Sequence, residues 1–463
     1  MNLRSKRGRV SRPLRASRIG ATELRLSLAA GFSACVGNDP QLSSSNDDQK
    51  LDASTSDTSI SDGTTTPNDG DAPVDPKCPS GTTTTISGTL YDPAGALPIE
   101  GVRVFVPGST PEPMPTGVSC DLCKAPSGAL ASTKTGADGK FVLQATPAGK
   151  VPVVFQIGKW RRQIVVDNVV ECADPPLTDK DQTRLPRKKS EGDMPRIALT
   201  TGAADPLECV LRKIGIDDSE FTTNALDGRV HLYKGPGSPT GAFSAALGGA
   251  TFTGAASLWN DVNALKKYDL VLLPCEGAPN EGSKPLAARE AMLDYANAGG
   301  RIFAFHDQAY WFSAGPAPFP STATWVTNRA NPPEPLIASL DTSSPQTTAM
   351  LDWARNVGAL NAGGVTIYGV KHNVDGTSGV SRPWVTFTNP NASNVAGVGL
   401  LTFETPVGAS GTKQCGRVSH AAMHVAFGDA SGPAFPTGCT SVTISPQEKL
   451  VEYMLFHLSN CLE

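Results

Sequence analysis

Between residues 78 and about 174 the chain alternates apolar and polar positions in short runs, at 85–91, 102–106, 129–135, 140–145, 151–157 and 163–170. A period of two is that of half-buried strands, whose successive side chains point to opposite faces. Asp92-Pro93, Gly136-Ala137-Asp138-Gly139 and Pro147-Ala148-Gly149 separate the runs and are turn chemistries. This part is expected to be an antiparallel β-sandwich. After a linker at 175–194 the pattern changes, and from 195 to 463 strand-like and helix-like stretches take turns. That alternation predicts a flavodoxin-like α/β domain with a mostly parallel sheet and helices on both faces. The chain is therefore read as multidomain.

In the second part the apolar runs predict strands at 196–200, 229–233, 269–273 and 301–305, then at 365–370, 385–388, 398–403 and 417–425. Asp205, Pro206 and Glu208 supply the N-cap, first-turn proline and capping-box acid of a helix that Gly215 stops. Further helices are predicted at 258–267, at 285–298 before Gly299-Gly300, and at 446–458. A stretch rich in Pro, Ala and Thr at about 311–340 reads as an insertion near the mouth of a site.

Ligands of open α/β sheets bind beyond the carboxyl ends of the strands, so residues just after strand ends are the first candidates. These are Thr201 and Gly202, Cys275 to Gly277, His306 and Asp307, Glu404, and His424. His306, Asp307 and Glu276 are the candidates for catalysis, as imidazole and carboxylate groups can form an acid and base pair. Gly202, Gly277, Glu404 and His424 are the candidates for ligand contact. Nothing like HExxH fixes a metal geometry, so neither metal nor cofactor is assigned. Both histidines also fit the plainer role of hydrogen-bonded core residues. Lys159-Trp160-Arg161-Arg162 reads as a solvated strand end or turn, or else as a docking surface for the second part.

Charge changes the picture at the beginning of the chain. Arg4, Lys6, Arg7, Arg9, Arg12, Arg15, Arg18 and Arg25 face only Glu23 within residues 1–34, and the remainder holds 32 basic and 43 acidic residues, a net charge of −11. Such an acidic remainder excludes nucleic acid as a natural partner. The basic run leads into a short apolar core and Cys35, the pattern of a secretory signal peptide over 1–34. Residues 35–77, rich in Ser, Thr, Asp, Gly and Pro, are expected to be a disordered tether.

Export fits the ten cysteines. Setting Cys35 aside leaves nine, so at least one is unpaired if all pairing is intramolecular. The candidate disulfides are Cys78 with Cys172, Cys439 with Cys461, Cys120 with Cys123, and Cys209 with Cys275. Cys120 and Cys123 form an isolated CxxC, which without a second CxxC or a nearby histidine reads as a local staple and not as a zinc site.

Several segments resemble known families. Ile86-Ser87-Gly88-Thr89-Leu90-Tyr91-Asp92, Gly101-Val102-Arg103-Val104 and Thr135 to Phe141 resemble the carboxypeptidase regulatory-like domain, a transthyretin-like sandwich that implies a spacer or binding module. Tyr268 to Gly277 and Gly299 to His306 resemble the core of class I glutamine amidotransferase-like domains. Together with Gly416-Arg417-Val418 and His424 they also resemble the ThuA-like branch, associated with trehalose utilisation, in which the second strand ends in His after a Gly-Gly turn. In amidotransferases the position of His306 holds the cysteine nucleophile, and a histidine there cannot supply a thiolate. Cys275 follows the neighbouring strand, where that family has glycine. Phe32-Ser33-Ala34-Cys35 resembles the lipobox of bacterial lipoproteins, implying a lipid on Cys35 and an anchor in the outer membrane or facing the periplasm. Residues 197–202 and 208–218 resemble a family of uncharacterised bacterial exported proteins.

The resulting expectation is an exported, lipid-anchored cell-envelope protein. Its amidotransferase-like domain would bind a small polar ligand, such as a carbohydrate, or a protein partner, without catalysis. The alternative is an exported hydrolase acting on a carbohydrate or envelope component through His306, Asp307 and Glu276.

Overall fold

In the computed structural model the described residues are 77–79, 82–361, 363–425 and 429–462, and all fall in one compact unit. The expected signal peptide, Cys35 and nearly all of the expected tether lie outside them. The molecule is mostly sheet with few helices.

The first part forms two small sheets. In one, Ile86–Thr89 lies between Lys140–Leu143 and Pro176–Leu177; the other runs Ala129–Lys134, Arg103–Pro107, Gly149–Ile157, Trp160–Val169. All neighbours are antiparallel except Ile86–Thr89 with Pro176–Leu177. Phe141 of one sheet meets Phe155 of the other edge to face, ring centroids 5.7 Å apart. The expected linker at 175–194 is itself packed, since it supplies Pro176–Leu177 and the buried Leu185.

Trp160 and its neighbours take the docking role that the sequence left open. Trp160 starts a strand, is fully buried, and packs edge to face on Phe456 of the last helix at 5.7 Å. Lys159 beside it forms an ion pair with Asp269 in the second part. The two parts consequently share one hydrophobic interior.

The large sheet is mixed, a parallel group continuing into an antiparallel one. Its order is Thr253–Gly254, Val230–Lys234, Ile197–Thr200, Leu270–Leu273, Arg301–Phe305, Gly416–Ala421, Val395–Thr405, Ser381–Asn389, Leu336–Leu340, Val365–Ile367. Neighbours from Thr253–Gly254 to Gly416–Ala421 are parallel, and the rest are antiparallel. The chain starts in the middle of the parallel group, so a crevice opens between Ile197–Thr200 and Leu270–Leu273 where the direction of winding reverses.

These strands are continuously apolar because both faces are covered. Leu199, Leu232, Leu272 and Phe305 face a core shared with the helices Leu207–Lys213 and Pro446–Ser459. Ala198, Tyr233, Val271 and Ala304 face the other core, under the helix Leu286–Asn297. The residues at 311–340 are less of an insertion than their composition predicts. Trp311, Phe312 and Phe319 are fully buried, and Leu336–Leu340 is a strand of the large sheet.

Local expectations also shift. The helix predicted at 258–267 breaks into Ala256–Trp259 and Val262–Leu265, with Asp261 accepting from the N–H of Asn263 to cap the second. Leu207–Lys213 has Pro206 at its N-cap and no side-chain cap, which leaves Asp205 free for other work. Cys78 pairs with Cys172 as expected, but the other disulfides join Cys120 to Cys415, Cys123 to Cys461 and Cys209 to Cys439. Proximity in sequence misled here, because both cysteines of the CxxC reach segments that the sheet brings in from the far end of the chain. Among the described residues Cys275 is the free cysteine, and it is buried.

Candidate functional site

Three loops at the carboxyl ends of the parallel strands meet around a sulfur atom. His306 directly follows Arg301–Phe305 and has φ of +53°, a conformation that non-glycine side chains adopt rarely and that costs of order 1–3 kcal/mol. Its carbonyl accepts from Asn373 Nδ2 at 2.9 Å. Its imidazole Nδ1 lies 3.3 Å from Cys275 Sγ, and the N–H of Gly277 donates to the same sulfur at 3.3 Å.

His424 stacks on His306, ring centroids 4.3 Å apart and planes 22° from parallel. Asp205 holds His424 in place: Oδ1 lies 2.8 Å from His424 Nδ1 and accepts the N–H of Val425 at 3.1 Å, while Oδ2 accepts the N–H of Cys275 at 3.3 Å. Gly369 closes the back of the ring. A Cβ there would come within 2.4 Å of His424 Cδ2. The Cys275 side chain is buried, His306 is 12% exposed and His424 34%, so the cluster opens to solvent through His424.

Burial, reinforced by the Asp205 carboxylate, pushes the Cys275 thiol up to about 12. It is therefore a thiol at neutral pH and not the thiolate that nucleophilic attack requires. Burial opposes a proton on His424, but Asp205 outweighs it and raises that imidazole above its ordinary value. Burial likewise opposes ionisation of Asp307, yet hydrogen bonds from His306 and Lys371 hold it at about 2. His420, fully buried behind the cluster, is pushed down to about 3 by burial and by His306, so it stays neutral.

The structure thus brings together His306, His424 and Cys275, with Asp307 beside them, its Oδ2 3.4 Å from His306 Nδ1 and its Oδ1 paired with Lys371. Gly202 serves by being small. A Cβ would come within 2.5 Å of the Cys275 carbonyl, so the glycine lets the loop after Ile197–Thr200 press on the loop after Leu270–Leu273.

Two candidates do not join. Glu276 is ion-paired to Lys284 at 2.6 Å with both side chains fully buried, and Lys284 lies against the indoles of Trp259 and Trp311. Glu404 sits opposite Arg417 and pairs with it at 3.1 Å. Arg417 in turn neighbours Arg301, the first residue of its strand, so Glu404 lies at the other end of the sheet. Its strand is antiparallel, and a strand end chosen without knowing direction points the wrong way. Asp205, Asn373, Lys371 and Gly369 escaped the sequence reading. Asp205 carried a signal, an acid in the loop after a strand, but the following proline gave it the look of a helix cap.

Among the described residues, Cys275, His306 and His424 are the cluster able to hold a metal ion, with donor atoms all within 4.8 Å of one another. No helix among them is long and apolar enough to cross a membrane.

No family model and no curated protein matches the chain. Among solved structures it is similar to a cytoplasmic protein from Salmonella typhimurium, with 12% identity over 58% of this chain and 100% of that one and a TM-score of 0.32. A protein described as ThuA-like from Bacteroides uniformis gives 13% identity over 57% and 91%, with a TM-score of 0.30. A mutant cohesin–X-dockerin complex from Acetivibrio cellulolyticus gives 18% over 32% and 79%, with a TM-score of 0.15. Values this low bear on neither fold nor activity, and the architecture rests on the strand order itself.

Proposed function

We propose that this chain is an exported cell-envelope protein, lipid-anchored at Cys35, whose α/β part binds a small polar ligand, such as a carbohydrate, beside His306 and His424. In this reading residues 35–77 are a tether, 78–174 a carboxypeptidase regulatory-like sandwich, and 195–463 a flavodoxin-like, ThuA-like domain. Four disulfides support an oxidising compartment. Leaving out the two-residue edge strand Thr253–Gly254, the winding order of the parallel strands is second, first, third, fourth, fifth, which supports the flavodoxin-like reading.

The observation that carries the proposal is the pair of imidazoles at the strand ends, one held by a buried carboxylate and reachable from solvent, next to a sulfur that is not a nucleophile. Such a surface presents hydrogen-bonding groups already fixed in place, which is what recognition of a polar ligand needs. The test is a thermal-shift screen of the oxidised protein against sugars, with His424→Ala in parallel. A sugar that stabilises the wild type and not the folded variant supports the reading. No shift with any sugar removes carbohydrate and leaves a protein partner.

A second reading rests on the Asp307 carboxylate beside His306, an ionised acid next to an imidazole. It is a hydrolase acting on an envelope carbohydrate through those two residues. Chromogenic glycosides and esters test it, and Asp307→Asn should then cost orders of magnitude in rate without changing the melting temperature.

A further inference from the structure

We infer that Cys275, His306 and His424 form a binding site for one zinc-class divalent cation, with Asp205 as the outer partner that orients His424. The donor atoms of the three side chains already lie within 4.8 Å of one another. Zinc bound by sulfur at about 2.3 Å and imidazole nitrogen at about 2.0–2.1 Å in tetrahedral geometry places those two donors roughly 3.5 Å apart. The observed Sγ to Nδ1 separation of 3.3 Å is close to that edge.

The surroundings of His424 match what metal histidines have. A ligating histidine usually gives its second ring nitrogen to a carboxylate or carbonyl, which fixes the tautomer and the ring plane. His424 Nδ1 lies 2.8 Å from Asp205 Oδ1, which leaves Nε2 as the lone-pair nitrogen. Asp205 is itself buried and takes the backbone N–H groups of Cys275 and Val425, so one carboxylate ties together two of the three ligand loops.

Binding the ion displaces the Cys275 thiol proton to solvent, and the resulting thiolate with two imidazoles selects a borderline-soft ion over magnesium or calcium, which prefer oxygen. Three protein ligands leave a fourth position, and it faces the solvent side where His424 is 34% exposed. Two nearly parallel rings cannot both contain the ion in their planes, so loading requires one to turn. His424 is fastened by Asp205, and His306 is the ring that swings.

This inference stands apart from the sugar-binding reading. The full chain, stripped with a chelator and kept oxidised, is titrated with zinc by calorimetry and with cobalt by absorption. About one zinc per chain is expected, and the cobalt adduct should show a near-ultraviolet sulfur-to-metal charge-transfer band that Cys275→Ser loses. Cys275→Ala replaces the serine variant if circular dichroism shows it unfolded. Asp205→Asn should weaken zinc binding about 10–100-fold.

Failure of the wild type to take up either metal overturns the inference. So does a charge-transfer band that persists without Cys275. A sugar-induced stabilisation of the stripped protein would leave the ligand reading intact even if these results overturn the metal site.

Discussion

Replacing Glu452 by Gln should make this protein more stable at pH 8 and leave it little changed at pH 4. Glu452, in the last helix, and Asp92, in the turn after the first strand, are each 1% exposed, and their carboxyl groups hydrogen-bond to each other across the junction between the two parts. Asp92 also accepts the N–H of Ala96 at 2.7 Å, whereas Glu452 Oε2 has no partner. Lys449, one turn away on the same helix, supplies an attraction that lowers Glu452. Burial raises Asp92 from 3.8 to about 6, and burial together with the Asp92 charge raises Glu452 well above its ordinary value. The pair therefore keeps a proton that the unfolded chain has given up.

An acid with a raised folded value binds more protons folded than unfolded, so its contribution is complete below the unfolded value near 4 and is lost as the pH climbs through the folded one. At 1.36 kcal/mol per unit, the rise of Asp92 alone corresponds to at most about 3 kcal/mol of stability lost between pH 4 and pH 7. A glutamine can donate to Asp92 without carrying charge, so it removes the separate cost that Glu452's own raised value adds, and the gain at pH 8 should be about 1–3 kcal/mol. Urea denaturation of both proteins at pH 4, 6 and 8 checks it. A variant destabilised equally at all three values would refute the reasoning, because the pair would then act as an ordinary hydrogen bond.

Other outcomes follow from single contacts. Gly369→Ala places a methyl 2.4 Å from His424 Cδ2 in a backbone at φ +60°, so it should lower stability by about 1 kcal/mol or more and abolish any ligand-induced thermal shift. Trp160→Ala removes a fully buried indole that joins the two parts and should cost about 3–5 kcal/mol in denaturant unfolding. With its thiol pushed up to about 12, Cys275 should resist iodoacetamide in the native protein at pH 8 and react once the chain is unfolded, as read by mass spectrometry.

The parts of this molecule legible in sequence are those written locally. The apolar runs at 269–273 and 301–305 are read as strands because burial on both faces leaves an unmistakable signature, and His306 was found because it follows one directly. Strand direction is not written locally. Val395–Thr405 has the same apolar texture as the parallel strands of the sheet, and only its antiparallel pairing sends Glu404 to the wrong end. Long-range pairing is equally silent: Cys275 and Cys209 look alike in sequence, yet one is disulfide-bonded to Cys439 and the other stays a thiol. Asp205 shows a third limit, since one residue type serves both helix capping and histidine orientation.

The two cysteines of the CxxC are synthesised long before their partners, which lie 295 and 338 residues further along. Until those residues arrive, the nearest thiol available to each is the other. Maturation therefore contains a waiting period in which a short wrong ring between Cys120 and Cys123 competes with the native pairs, and reaching the native pairs from it takes thiol–disulfide exchange. A host that produces this chain in quantity needs a disulfide isomerase as well as an oxidant. The yield of correctly paired protein, more than folded stability, is where a shortage of that isomerase would first be felt.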